Sequence, residues 1–360
     1  MVALLRHCYS DGIHHKRIAI VGITPPPLGG VSVHVQRVGA KFRRQGNSVY
    51  HFDSEPRYRY RLFFFYAMHL AIFLLFRRPD HCYIHTLFLP NGLQELRLVC
   101  WLKKLLSFEL VVVEHNCRYL YARDDAWKKR LNRLMPAIDS HVFIGNLTAQ
   151  SFADNGIQPA KKSPIEAAFL PPDATRQKAI LATYPKSLFQ FLQAHKATMC
   201  ANAFALKLID GKDLYGFDLC IAALAQLHAK GAGVGLVLVL AKIEHHTYYA
   251  QLKGLIAAHG LAEHVYLLVG QRELWPLLKK VTLFLRPTLS DGASVSVEEA
   301  LWCGTPVVAS DVCMRPTGVH LFRAGDAQHL CVAIERALQS AIVDGYTTTS
   351  EQNNQHTTSL

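Results

Sequence analysis

The sequence predicts an α/β protein built as two doubly wound, Rossmann-like domains facing a central cleft. Three observations carry this. Short apolar runs alternate with helix-length segments along most of the 360 residues, as they do when parallel strands are joined by helical crossovers. The strand runs do not alternate polar and apolar, which marks strands covered on both faces. One proline-rich break, Phe169-Leu170-Pro171-Pro172-Asp173, interrupts the alternation near its middle. The expected division is a lead-in over 1–15, a first domain over 16–170, a second over 171–345 and a disordered polar tail over 346–360.

In the first domain, Lys16–Gly22 reads as a strand that exits into the loop Thr24–Gly30. Three prolines stiffen that loop, and Gly29-Gly30 let the backbone approach a ligand closely. Helix Val31–Arg44 follows with the stripe Val31, Val35, Val38, Phe42 and a Gly46 stop. The strands then expected are Ser48–Phe52, Cys82–His85, Leu110–Val113, Ser140–Ile144 and Ser163–Ala168. Between them fall helices over Leu62–Phe76, Gly92–Leu106, Asp125–Leu134 and Leu147–Asn155.

The second domain opens with one long helix, Arg176–His195. Strand Thr198–Phe204, helix Gly216–His228, strand Val234–Leu240, helix Tyr248–His259 and strand Val265–Val269 continue the pattern. A short helix around Leu274–Lys279 leads to strand Val281–Leu285. A helix beginning at Ser294–Ser296 and stopping at Gly304, strand Thr305–Ala309 and helix Asp326–Val343 complete it.

Composition narrows the function classes. Half the residues are hydrophobic and 18% are charged, so the chain is globular. A net charge of +12 favours anionic partners, nucleotides or an acidic membrane surface among them. Nucleic-acid binding rests on charge alone, because no recognition motif is present. Nine cysteines without regular spacing or a CxxC pair point to a reducing compartment and to neither a disulfide framework nor a zinc site. Met1–Ser10 does not read as a signal peptide. Leu62–Phe76, LFFFYAMHLAIFLLF, is flanked by arginines and is shorter than the roughly 20 residues that span a bilayer. A buried helix and a helix lying on an acidic membrane surface both fit it.

The stretch Phe284–Asp311 carries the densest chemistry. A strand ends at Arg286-Pro287, a glycine-containing turn follows, and a helix begins, which is where such sheets bind anions on unpaired N–H groups. Asp291 and Glu299 stand eight positions apart across that turn. Ser296 and Glu299 also fit a capping box, a purely structural alternative. His115 is one of 19 histidines, at a strand end. Arg272 follows a turn at Gly270 that could form part of a base-binding loop. No DxD-like pair is present, so no metal and no cofactor are expected.

Four stretches together resemble the bacterial family 4 glycosyltransferases of the GT-B fold, which use a nucleotide-sugar donor and retain its anomeric configuration. They are PPPLGGVSVHVQR (Pro25–Arg37), VVVEHN (Val111–Asn116), IDGKDLYGFD (Ile209–Asp218) and the Phe284–Asp311 stretch. The wording of the last is similar to a subgroup associated with capsule, O-antigen or exopolysaccharide assembly. The resemblance implies that Glu299 binds the donor ribose and that Asp291 lies near the donor sugar. It implies further that Ser294, Val295 and Ser296 receive the diphosphate on backbone N–H groups. Gly29 and Gly30 would lie beside donor phosphate and acceptor, and His115 would face the reacting sugar. The family usually has glutamate where Asp291 stands. It also places an arginine and a lysine after the first strand of the second domain; here Tyr215 takes the lysine position. Lys207, Lys212 or Arg286 are left to hold the diphosphate.

The activity so implied is metal-independent, retaining transfer of a sugar to a polysaccharide or lipid-linked acceptor. It would take place in the cytoplasm, on the inner face of the cell membrane. The alternatives are a GT-B sugar-nucleotide epimerase and a non-catalytic partner that binds nucleotide sugar or polymer.

Overall fold

The computed structural model describes residues 15–26, 28–54, 62–115, 118–291 and 295–343; of the expected site residues, Ser294 lies outside them, as do the lead-in before His15 and the tail 346–360. The chain divides into two compact units, Met1–Pro172 and Asp173–Leu360. Each contains a six-stranded, all-parallel sheet with helical crossovers.

The strands of the N-terminal unit are β1 (Arg17–Gly22), β2 (Ser48–Asp53), β3 (His81–Ile84), β4 (Glu109–Glu114), β5 (Ser140–Ile144) and β6 (Ile165–Glu166), in the order β2-β1-β3-β4-β5-β6. Helix α1 (Gly30–Arg44) covers one face through Val35, Val38 and Phe42. On the other face, α2 (Phe63–Arg77), α3 (Gly92–Leu106), α4 (Asp125–Leu134) and α5 (Asn146–Asp154) share a core with the strands that includes Leu70, Leu96, Leu131 and Phe152. Chain direction across the sheet reverses between β1 and β3. Such a reversal parts the two loops leaving the strand ends and opens a crevice for a ligand.

The C-terminal unit begins with α6 (Gln177–Leu181) and α7 (Lys186–Ala194). Its sheet is formed by β7 (Ala197–Ala205), β10 (Val234–Lys242), β11 (Val265–Val269), β12 (Leu283–Arg286), β13 (Val307–Ser310) and β14 (Val319–Phe322), ordered β11-β10-β7-β12-β13-β14. The two-residue strands β8 (Leu208–Ile209) and β9 (Lys212–Asp213) form a hairpin between β7 and α8 (Phe217–Ala229). The remaining helices are α9 (His246–Ala258), α10 (Trp275–Leu278), α11 (Val295–Trp302) and α12 (Ala327–Val343). One face of the sheet is packed by α8, α9 and α12 through residues such as Phe217, Leu252 and Ile334. The other is packed by α7, α10 and α11 through Leu188, Trp275 and Val297. Here the reversal falls between β7 and β12.

Four local expectations are corrected. The single helix over Arg176–His195 is two helices, because Pro185 disfavours helical geometry at Tyr184. Tyr184 instead turns inward and its hydroxyl donates to the Glu273 carbonyl at 2.5 Å. The strand expected over Ser163–Ala168 keeps only Ile165–Glu166. Beyond it the carbonyls of Ala168 and Leu170 turn to α1, the first meeting His34 Nδ1 at 3.2 Å and the second accepting from Arg37 at 2.9 Å. The β8–β9 hairpin was not anticipated, although Asp210-Gly211 carries its signal: both residues have positive φ (49° and 75°), as a type I′ turn demands. Strand β14 was also missed, since three of its four residues are not fully buried and its apolar pattern is weak.

Gly216 shows how tightly the second unit's loops are fixed. Its φ is +67°, and a Cβ there would lie 2.4 Å from the Pro287 carbonyl oxygen. The same loop is tied down by Leu289 N–H and the Thr288 hydroxyl, both donating to the Leu214 carbonyl at 2.8 Å. Gly216→Ala is therefore expected to lower the unfolding free energy by about 2–3 kcal/mol, strain and overlap combined, in a urea titration. A loss below about 0.5 kcal/mol would show that the loop yields.

Candidate functional site

Each unit gathers polar side chains at the carboxyl ends of strands that flank its reversal point or lie next to those that do. In the N-terminal unit the residues are histidines. His85 follows β3, His115 follows β4, and His34 lies in the first turns of α1, just after Gly29-Gly30. His85 Nδ1 and His115 Nε2 share a hydrogen bond of 2.9 Å. The His34 ring stands edge-on to His115, with centroids 4.7 Å apart. His85 Nε2 is buried and has no hydrogen-bond partner. Among the described residues, no three His, Cys, Asp or Glu side chains are placed to hold a metal ion.

Burial holds His34 at a pKa of about 4, and it pushes His85 and His115 well below the usual imidazole value, the neighbouring histidines adding to the effect. All three are neutral at pH 7. Their stabilising contribution is complete above the unfolded pKa near 6.5 and is lost as pH falls from there toward the folded value. Buried Glu114, whose pKa burial raises, works in the opposite sense and gains as pH falls. The clean measurement is a difference. In urea titrations at pH 7.5 and pH 5, His34→Gln should lose about 2 kcal/mol less than wild type on acidification. Equal losses would mean that His34 charges without cost.

Gly29 N–H donates to the Ser32 hydroxyl at 2.9 Å, which closes the start of α1. Neither Gly29 nor Gly30 has a left-handed φ, and a Cβ at Gly30 would meet nothing within 4 Å. The internal packing of the unit does not require glycine at Gly30, so the open space above its backbone is available to a ligand. Close by, the buried Glu95 carboxylate accepts from the hydroxyls of Thr86 and Tyr66, and Ser54 shares a 2.9 Å hydrogen bond with Tyr66. This network anchors the segment carrying His85.

In the C-terminal unit the residues are charged. Arg286 ends β12, and its Nε and Nη2 donate to the two Asp291 oxygens at 3.1 and 3.2 Å. Arg315 donates to the same carboxylate at 2.8 Å and to the Ser310 carbonyl at 3.0 Å. Burial alone would raise the Asp291 pKa, but the two guanidiniums outweigh it and hold the carboxyl below its usual range. Two cations against one anion leave the cluster net positive. Arg286 also donates to the Asn202 carbonyl on β7 at 3.3 Å, and its guanidinium lies over the Tyr215 ring at 5.5 Å. The Asn202 side-chain oxygen is buried with no hydrogen-bond partner.

The structure thus joins Arg286 and Asp291 with an arginine that sequence reasoning gave no role. Arg315 lies beyond the last of the quoted stretches, 24 positions from Asp291, so sequence spacing does not reveal their contact. His34 and His85 escaped for the same reason. Glu299 is buried in α11 and acts electrostatically on Tyr184, whose pKa is raised first by burial and then by the charges around it. Val295 and Ser296 open the described part of α11 and are half-buried. Arg272 is committed to carbonyls of its own unit, Thr183 and Val269, both at 2.9 Å. Lys207 and Lys212 are exposed beside the hairpin. Asp213 caps α8, accepting from Tyr215 and Phe217 N–H at 2.9 Å and from the Tyr248 hydroxyl at 3.1 Å.

Residues 209–340 match the protein family described as glycosyl transferases group 1. No curated protein matches the chain. Among solved structures, a glycosyltransferase from Rickettsia africae superposes with a TM-score of 0.67 at 12% identity, over 91% of this chain and 89% of that one. HepE from Anabaena in complex with UDP-glucose gives 0.60 at 15%, over 92% and 91%. Sucrose-phosphate synthase from Thermosynechococcus elongatus gives 0.58 at 16%, over 90% of each chain. At these identities the likeness concerns the fold: two Rossmann-like parallel-sheet units, as in the GT-B glycosyltransferases.

Proposed function

We propose that the chain is a retaining, metal-independent glycosyltransferase. It moves a sugar from a nucleotide-sugar donor to a polysaccharide or lipid-linked acceptor in cell-surface polysaccharide synthesis, on the cytoplasmic side of the membrane. The observation that carries the reading is the net-positive Arg286–Asp291–Arg315 cluster at the reversal point of the unit that matches the group 1 family.

When a sugar leaves a nucleotide diphosphate, negative charge grows on the departing phosphate. Fixed cations and helix-start amides that meet this charge without rearranging stabilise the transition state, each by a few kcal/mol. Arg286, steered by Asp291, is assigned that cationic role in place of the family's arginine and lysine. Ser294, Val295 and Ser296 are assigned the amides. Asp291 then acts through its arginines more than by touching the sugar. Glu299 is assigned the ribose hydroxyls, and Gly29, Gly30 and His115 the sugar and acceptor side. His115, neutral at pH 7, serves as a hydrogen-bonding group.

UDP-glucose is bound by HepE, and the donor screen starts from it. The anomeric configuration of the transferred sugar, followed by NMR during turnover, tests the reading. Retention supports it, and inversion sinks it. One observation favours the non-catalytic alternative: the Asp291 carboxylate is already occupied by two arginines. Tight nucleotide-sugar binding without turnover on any acceptor would establish that alternative.

A further inference from the structure

The outer faces of α2 and α3 are unusual for a folded protein. Tyr66, Leu70 and Leu74 of α2 point into the core, while Phe64 and Phe76 on its other side are 75% and 84% exposed. On α3, which packs beside α2 on the same face of the sheet, Trp101 and Leu105 are each 62% exposed. An apolar surface on this scale marks a place that meets something apolar. At fifteen residues α2 is too short to cross a bilayer, and among the described residues no helix is long and apolar enough to do so.

Basic groups border this surface. Arg77 and Arg78 end α2. The last turn of α3 opens onto a cavity of about 760 Å³ at the amino-terminal edge of the sheet, lined in part by Lys103, Lys104, Lys161 and Lys162. Lys103 is held by Asp139 at 2.5 Å and by the Ala137 carbonyl at 2.8 Å. Lys104, Lys161 and Lys162 form no ion pair among the described residues. Glu109, the other acid of the lining, faces His81 at 3.3 Å. Three uncommitted ammonium groups around one concavity suit a compact, multiply charged oxyanion. Lys104 shares the last turns of α3 with the exposed Trp101 and Leu105, which suits a ligand whose other end is hydrocarbon.

We infer that this surface docks on anionic phospholipid, with the outer face of α2 entering the acyl boundary and the lysine-lined cavity taking a headgroup phosphate. The inference deepens the membrane placement proposed above and does not depend on sugar transfer. An acidic protein groove and a second copy of this chain are the other occupants to be tested.

The experiment floats the full chain on phosphatidylcholine vesicles containing or lacking phosphatidylglycerol. The wild type is expected to float with the anionic vesicles only. Replacing Lys104, Lys161 and Lys162 together by glutamine should weaken partition on the order of 100-fold, and the loss should be confined to anionic vesicles. Phe64→Ser with Phe76→Ser should abolish flotation, while circular dichroism melts show that both variants remain folded. No flotation of the wild type, or equal flotation of the lysine variant, would overturn the inference. So would a dimer in sedimentation that the Phe64→Ser, Phe76→Ser variant dissolves. Because flotation needs no turnover, its failure leaves the transferase reading standing, and a failed transfer assay leaves this one.

Discussion

Replacing Arg315 by methionine is expected to lower the unfolding free energy of the C-terminal unit by about 3 kcal/mol. The side chains of Arg315 and Asp291 are only 2% and 9% exposed, so little water is available to take over the lost contact. Methionine keeps most of the packing volume but leaves one carboxylate oxygen short of a partner and the Ser310 carbonyl without its donor. Arg286 remains, which keeps the cost at the low end of the range for breaking a buried pair. Differential scanning calorimetry should register it as a fall in Tm of roughly 6–12 °C. Nucleotide-sugar affinity should fall as well, because Asp291, which orients Arg286, loses the second guanidinium that holds it in place. A double-mutant cycle with Asp291→Asn would assign the loss, since coupling should be strong between groups 2.8 Å apart. A stability change under about 1 kcal/mol would show that the pair is solvated.

The second large effect concerns Glu299. Glu299→Ala is expected to weaken nucleotide-sugar binding about 10- to 100-fold in calorimetric titration, the range for removing a hydrogen bond to a charged group. The carboxylate is 6% exposed and lies in the electrostatic neighbourhood of Tyr184. A structural role alone would appear as lost stability with unchanged affinity. Glu299→Gln separates the two cases, because it keeps the volume and one acceptor and removes the charge.

The alternation of strands and helices was readable because both sheets are fully covered. Runs such as RIAIVG and VGLVLVLAK are apolar without a break, and a parallel sheet between two helical layers demands that. Helix ends were readable wherever a glycine stop stands alone, as at Gly46 and Gly304; the break at Pro185 was not, because the apolar residues on both sides of it continue a helical pattern. The truncated β6 was not, because the competitors for its carbonyls, His34 and Arg37, lie more than 130 positions away. The candidate site divides in the same way. Asp291, Glu299 and Arg286 share one strand–loop–helix passage, so their spacing is visible in one window of sequence. Arg315, His34 and His85 are brought in by strand order, and strand order is a tertiary fact. Tyr215 shows the converse: read as a missing lysine, it proves to be the surface against which Arg286 is laid.

The central claim is that Glu299 and the Arg286–Asp291–Arg315 cluster serve a nucleotide-sugar donor in transfer. It is tested most directly by supplying labelled nucleotide sugars with a lipid-linked acceptor and following label into product, for wild type and Glu299→Ala side by side. The account predicts transfer from at least one donor by the wild type and a loss on the order of 100-fold in the variant at limiting donor. Equal turnover by the two proteins would contradict it.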